Sequence, residues 1–288
     1  MVTEIRCIKR SALEGLIEEA KKLESEDNRV CIYYDVQEPK IILGVFPPSC
    51  CGVEPAMKTI EIQYPDYDKL LETLTEIIRI YNIEEIKEKI NRYENRAKKI
   101  REKIERAEKQ NDQLTLKFLP KYQEMLKGLE LKIKQLQEQI QNPEKIEPEL
   151  FLGEIADDFS DFMKFLRIIK APKDIRERLK YYATGQFIDD EAKLPLDICD
   201  DVEAVDEEEV DIVDPYWCVK DEFEVEGYLV FLPARKSLKI LLTITSDEYK
   251  ELNKDVTLYT VEFKDAYSLL ETIDNLRKNH LYLVGGIR

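Results

Sequence analysis

A chain of 288 residues with 60 Asp and Glu against 44 Lys and Arg carries a formal charge of −16. That balance argues against a protein gripping nucleic acid over its whole surface, because phosphate contacts need concentrated cations. Apolar residues make up 43% of the chain, enough for real cores and too many for general disorder, and the length allows two domains or one domain with an extended element.

No apolar run reaches the roughly 18 residues of a membrane-spanning helix. The start, Met1-Val2-Thr3-Glu4-Ile5-Arg6-Cys7, lacks the basic-then-apolar order of a signal segment, so a cytoplasmic location is expected. Charged residues are 36% of the chain, with much Glu and Lys, and glycines number only nine. This composition points to a thermophile or its mobile element, where ion-pair networks form at lower cost.

Residues 3–8 alternate as a strand, and Ser11 is a fair N-cap for a helix carrying Leu13, Leu16, Ile17, Ala20 and Leu23. Val30 to Tyr34 and Ile41 to Phe46 read as a hairpin around Gln37-Glu38-Pro39, and Pro47 to Gly52 as a loop. Thr59 to Tyr64 alternates as a half-buried strand, and Pro65-Asp66 opens a helix with Leu70, Leu71, Leu74, Ile77 and Ile78. The N-terminal order is β-α-β-β-β-α.

From Ile83 the rhythm changes. Ile83, Ile86, Ile90, Tyr93, Ala97, Ile100, Ile104 and Ala107 step by three and four alternately, as do Leu119, Tyr122, Leu126, Leu129, Ile133, Leu136 and Ile140. Two such heptad seams, joined by the polar Gln110-Asn111-Asp112-Gln113, predict an antiparallel coiled-coil hairpin with arms of roughly 40 Å. Pro120 would kink or delay the second arm, leaving the turn open between 110–113 and Phe118-Leu119, and Asn142-Pro143 ends it. Glu85–Lys89, Glu88–Arg92, Glu94–Lys98, Glu102–Arg106 and Glu105–Lys109 have the favourable i,i+4 order.

Residues 150–183 read as two short helices, apolar on several sides through Phe159, Phe162, Met163, Phe165, Leu166 and Ile169. The stretch 189–214 holds thirteen Asp or Glu against Lys193 alone. Tyr228 to Leu232 and Leu238 to Ile244 form a second hairpin, Val256 to Phe263 a strand, and a helix with Leu269, Leu270, Ile273 and Leu276 follows. Leu281 to Val284 would add a last strand.

This β-β-β-α order repeats the N-terminal one. Leu70-Leu71-Glu72-Thr73 matches Leu269-Leu270-Glu271-Thr272, in register with Asp66 and Asp265, so an internal duplication is expected. The fold class is thus α+β. The chain divides into an N-terminal α/β unit (1–82), the coiled-coil hairpin (83–142), short helices (143–188), an acidic connecting segment (189–225) and a C-terminal α/β unit (226–288).

Chemistry-bearing motifs are scarce. His280 is the single histidine and sits after a helix beside Lys278 and Asn279, where a C-terminal helix cation is the plainer role than catalysis. Cys7 and Cys31 lie in apolar strands and read as small buried hydrophobes, although disulfides become plausible in a hyperthermophile. Cys50-Cys51 has no base beside it, and the six cysteines show no Cys-x-x-Cys spacing for zinc. Gly285-Gly286 lacks the context of a nucleotide loop. The acidic stretch reads as a solvated linker before a metal cluster or nucleic-acid mimic. No catalytic, cofactor-binding or metal residue is assigned, and no cofactor is expected.

The hairpin, residues 84–142, has fifteen Lys or Arg against eleven Asp or Glu. Its densest part is Arg92, Arg96, Lys98, Lys99, Arg101, Lys103, Arg106 and Lys109, the candidate partner-binding residues, weighed against an ordinary solvated helix face. The expected function is a non-enzymatic interaction or assembly protein that meets a protein partner or a second copy through the hairpin. A regulator of nucleic-acid machinery, touching ribosome, polymerase or nucleic acid through the hairpin or the acidic segment, is the first alternative. A metal-dependent hydrolase using Asp or Glu is the second. No membrane partner is expected.

Overall fold

The structure, a computed structural model, describes residues 2–23, 29–45, 58–110, 113–155, 159–183, 224–245 and 253–279. Strands β1 (Val2–Lys9), β2 (Arg29–Asp35), β3 (Lys40–Val45) and β4 (Lys58–Gln63) pair antiparallel in chain order. Their period of two sends Val30, Ile32, Tyr34, Ile41, Leu43 and Val45 into the core. β1 and β2 are linked by α1 (Arg10–Leu13) and a 3-10 turn over Glu18–Lys22.

The single helix expected after Ser11 is therefore two short pieces. Its N-cap is Lys9, and the chain turns at Glu14 to Leu16, where Gly15 is a poor helix former. Leu13, Ile17, Ala20 and Leu23 still face inward, while Leu16 is exposed.

Cys7 and Cys31 correct their reading as buried hydrophobes. Both are only partly buried. The β1–β2 register sets them directly opposite each other, and a disulfide joins them.

The second sheet has the same antiparallel order: β5 (Leu150–Glu154), β6 (Glu224–Leu232), β7 (Ser237–Thr245) and β8 (Lys254–Glu262). Residues 150–154, expected within the helical stretch, instead form β5. This strand pairs with β6 through an irregularity at Gly153, whose φ of 141° suits glycine. Two short helices do follow, numbered α4 (Phe159–Ile168) and α5 (Asp174–Ala183), and the last helix is α6 (Ala266–Asn279). The tip of the Phe162 ring of α4 sits against Gly227 of β6, where a Cβ would come 1.9 Å from Cζ.

Between the sheets run the two long helices, α2 (Tyr67–Gln110) and α3 (Gln113–Gln141). Because α2 continues without a break, the boundary read at residues 82–83 falls inside one helix. Buried residues of both sheets, of α6 and of the first turns of α2 form one continuous apolar cluster. Across it the Tyr67 and Tyr267 rings meet edge-on with centroids 5.0 Å apart, and Lys236 pairs with Asp68 at 2.6 Å. The fold is α+β, built from helices and two four-stranded antiparallel sheets. The loop at Pro47 to Gly52, Cys50, Cys51, Cys199, Cys218, the acidic stretch 189–214, His280, the strand expected at Leu281 to Val284 and Gly285-Gly286 lie outside the described residues.

Candidate functional site

α2 starts from a defined cap. The Asp66 carboxylate accepts the Lys69 amide N–H at 2.8 Å, and none of the helix's 44 residues is Gly or Pro. Leu70, Leu71, Leu74, Ile77 and Ile78 anchor its first turns in the shared core. Just beyond them, two ion pairs tie the helix to the first sheet. Glu84 pairs with Lys9 at 3.8 Å, Glu88 with Arg29 at 3.6 Å, and the Tyr81 hydroxyl donates to Glu85 at 2.6 Å.

Farther out, α2 and α3 pack against each other. Ala97, Ile100 and Leu129 are buried in a cluster of their own, separate from the main core, with Tyr93, Ile104, Tyr122, Met125 and Leu126 around them. Arg101 pairs with Glu130 at 2.8 Å, and the Lys103 ammonium lies 5.8 Å from the Tyr122 ring centroid. These contacts climb one helix while descending the other, so the two run antiparallel. The chain reverses between Gln110 and Gln113. Pro120 sits inside α3, about two turns past the reversal rather than at it.

Of the five i,i+4 pairs expected, only Glu105–Lys109 forms among the described residues, at 3.7 Å. Glu85 turns to Tyr81 of the same helix, and Glu88 to Arg29, a partner in the sheet that the helix sequence does not reveal. Such exposed pairs contribute little in any case.

All eight candidate partner-binding residues are exposed on α2, yet they do not share one face. At 100° per residue, Arg92, Arg96, Lys99, Lys103 and Arg106 fall on one flank of the seam. Lys98, Arg101 and Lys109 fall on the other flank or the back, where Arg101 and Lys109 meet Glu130 and Glu105.

Where the two long helices meet the sheets lies an open cleft of about 560 Å³, lined by Arg6, Tyr81, Glu85, Ile86, Phe151 and Val230 among others. Several of its polar groups are engaged. Arg6 donates to the Phe151 carbonyl at 3.0 Å, Glu149 pairs with Lys239 at 3.0 Å, and Glu147 with Arg235. Burial first, and the Glu85 carboxylate second, push the Tyr81 phenol up to about 12, so it is a hydrogen-bond donor and no base at neutral pH.

Among the described residues no group of three or more His, Cys, Asp or Glu could hold a metal ion. Nor is any helix there long and apolar enough to cross a membrane. No family model matches the chain, no curated protein matches it, and no solved structure matches it.

Proposed function

We propose that this is a non-catalytic interaction protein in which two related α/β units form a head and a coiled-coil hairpin is the part that meets a partner. One observation carries the reading. α2 is rooted in the head's core, leaves it, and is then held by an apolar cluster that belongs only to the two long helices. A helix pair that merely completed the head would bury its outer turns against the sheets. The seam residues Ile90, Ala97, Ile100 and Leu129 are buried, as heptad packing requires.

The relatedness of the two units rests on matched details. Asp35 opposes Lys40, and Lys40 opposes Gln63; Leu232 opposes Ser237, and Ser237 opposes Glu262. The amide of Tyr64 donates to the Pro39 carbonyl at 2.7 Å, and that of Phe263 to the Lys236 carbonyl at 2.9 Å. Asp66 and Asp265 each cap a helix by accepting the amide three residues on, at 2.8 Å. Duplication accounts for these pairs together; chance would have to supply each separately. Within the duplication, α6 is the short counterpart of α2, and the hairpin is what the first copy adds.

Partner contact falls to the basic residues Arg92, Arg96, Lys98, Lys99, Arg101, Lys103, Arg106 and Lys109. Removing 91–104 and 125–138 deletes two whole heptads from each helix and keeps the seam in phase. Light scattering and thermal melting of this shortened chain test the proposal. The head is expected to keep its cooperative melt while self-association or partner capture is lost. Unfolding of the shortened chain would make the hairpin part of the core and end this reading.

A further inference from the structure

The arm carries a row of charge more ordered than its composition suggests. Lys89, Arg92, Arg96, Lys99, Lys103 and Arg106 follow at steps of three and four, each one residue before a seam position of α2. Six cations therefore line one flank of the helix over about 26 Å. The three glutamates between Lys89 and Arg106 are Glu94, Glu102 and Glu105, and none occupies a position of the row.

The helix behind completes the face. Arg101 and Glu130 each lie one residue after a seam position and meet each other at 2.8 Å, so the positions before the seam share the opposite flank. On α3 these are Phe118, Lys121, Met125, Gly128, Lys132, Gln135 and Gln139, with no carboxylate. All six cations of the α2 row are exposed, as are Lys121 and Lys132. None of the row has a carboxylate partner among the described residues, whereas Arg101 and Lys109 on the other sides do.

We infer that this flank binds the phosphate backbone of a double-stranded nucleic acid, without reading its sequence; the inference rests on the arm being the partner-binding part. A linear row of unpaired Lys and Arg matches a linear row of phosphates. A single strand would offer its bases to aromatic platforms. Among the described side chains of α2 and α3, the aromatic rings near the row, Tyr93 and Tyr122, are taken up in the helix–helix packing. A duplex keeps its bases stacked inside and presents phosphates alone.

The chain's formal charge of −16 does not forbid this. Lys89 still shares the junction cleft with Glu85, Glu147 and Glu149, but Arg92 and Arg106 lie about 21 and 42 Å along the helix from Ile78, the last fully buried residue of its root. At physiological salt, repulsion fades over about 8 Å.

The test uses the full chain and a mixed-sequence 30-base-pair DNA duplex, with fluorescence anisotropy read over a salt series. One variant combines Arg92→Glu, Arg96→Glu and Lys99→Glu. Its control combines Lys87→Glu, Lys127→Glu and Lys134→Glu, an equal charge change on the other flank, at residues outside the partner-contact set. Both are checked by thermal melting, and Arg92→Gln, Arg96→Gln and Lys99→Gln replace the first set if it fails to fold. The parent is expected to bind with log K falling by about five per decade of salt. The row variant should bind at least tenfold more weakly with a shallower slope, and the control within threefold of the parent. No duplex binding at low salt, or equal loss in both variants, overturns the inference. So does single-stranded DNA or polyglutamate binding as tightly as the duplex. A chain that ignores the duplex yet loses self-association on arm shortening leaves the arm proposal standing and removes this one alone.

Discussion

Tyr81 shows how one side chain marks the junction of head and arm. It packs against the core from α2 and donates its hydroxyl to Glu85 at 2.6 Å. Its phenol is pushed from the ordinary 10 to about 12, by burial and then by that carboxylate. The folded state holds the proton that the unfolded chain gives up near pH 10. The stabilisation is thus complete below pH 10 and is lost as pH rises from about 10 to 12. Tyr81→Phe is expected to flatten that part of the alkaline decline in melting temperature, while other tyrosines continue to titrate. Parallel declines in parent and variant between pH 10 and 12 would show that the phenol is not held this way. None of this was readable from the sequence, where Tyr81 is one apolar ring on a helix. Its neighbour Glu85 was expected to face Lys89. Its actual partner depends on what the helix is packed against.

Elements with a clear period were legible to within a residue or two. The strands at 30–34 and 41–46 and the helix at Leu269 to Leu276 follow from alternation or a 3.6-residue repeat, and each appears close to those bounds. β5 was missed because Leu150-Phe151-Leu152 is a short apolar run that suits either a strand or a buried helix. The disulfide was missed for a related reason. Cys7 and Cys31 look like ordinary strand residues until the β1–β2 register sets them opposite, and register is a property of the pair. With its ends 24 positions apart in sequence, this link should raise stability by roughly 3 kcal/mol. Urea unfolding of the oxidised chain beside a Cys7→Ser, Cys31→Ser variant checks it. The variant's midpoint should fall by that equivalent, and coincident midpoints would mean the two thiols are not joined in solution.

For the whole molecule, the decisive feature is the division of apolar burial. One cluster joins both sheets, α6 and the root of α2, and a second lies wholly between α2 and α3. Its buried members Ala97, Ile100 and Leu129 are positions of the three-and-four spacing in the sequence. The merging of the two sheets onto one core left no local signal, because it depends on contacts such as Tyr67 on Tyr267, 200 positions apart. A head with its own core can carry a long arm whose outer surface is free for charge, and the cation row on one flank is what such an arm makes possible. Small-angle X-ray scattering of the full chain and of the chain lacking 91–104 and 125–138 tests this division most directly. The account predicts that the longest dimension shrinks by about 20 Å, the length of two heptads on each helix, with the head's profile unchanged. An unchanged longest dimension, with the chain still folded, would contradict it.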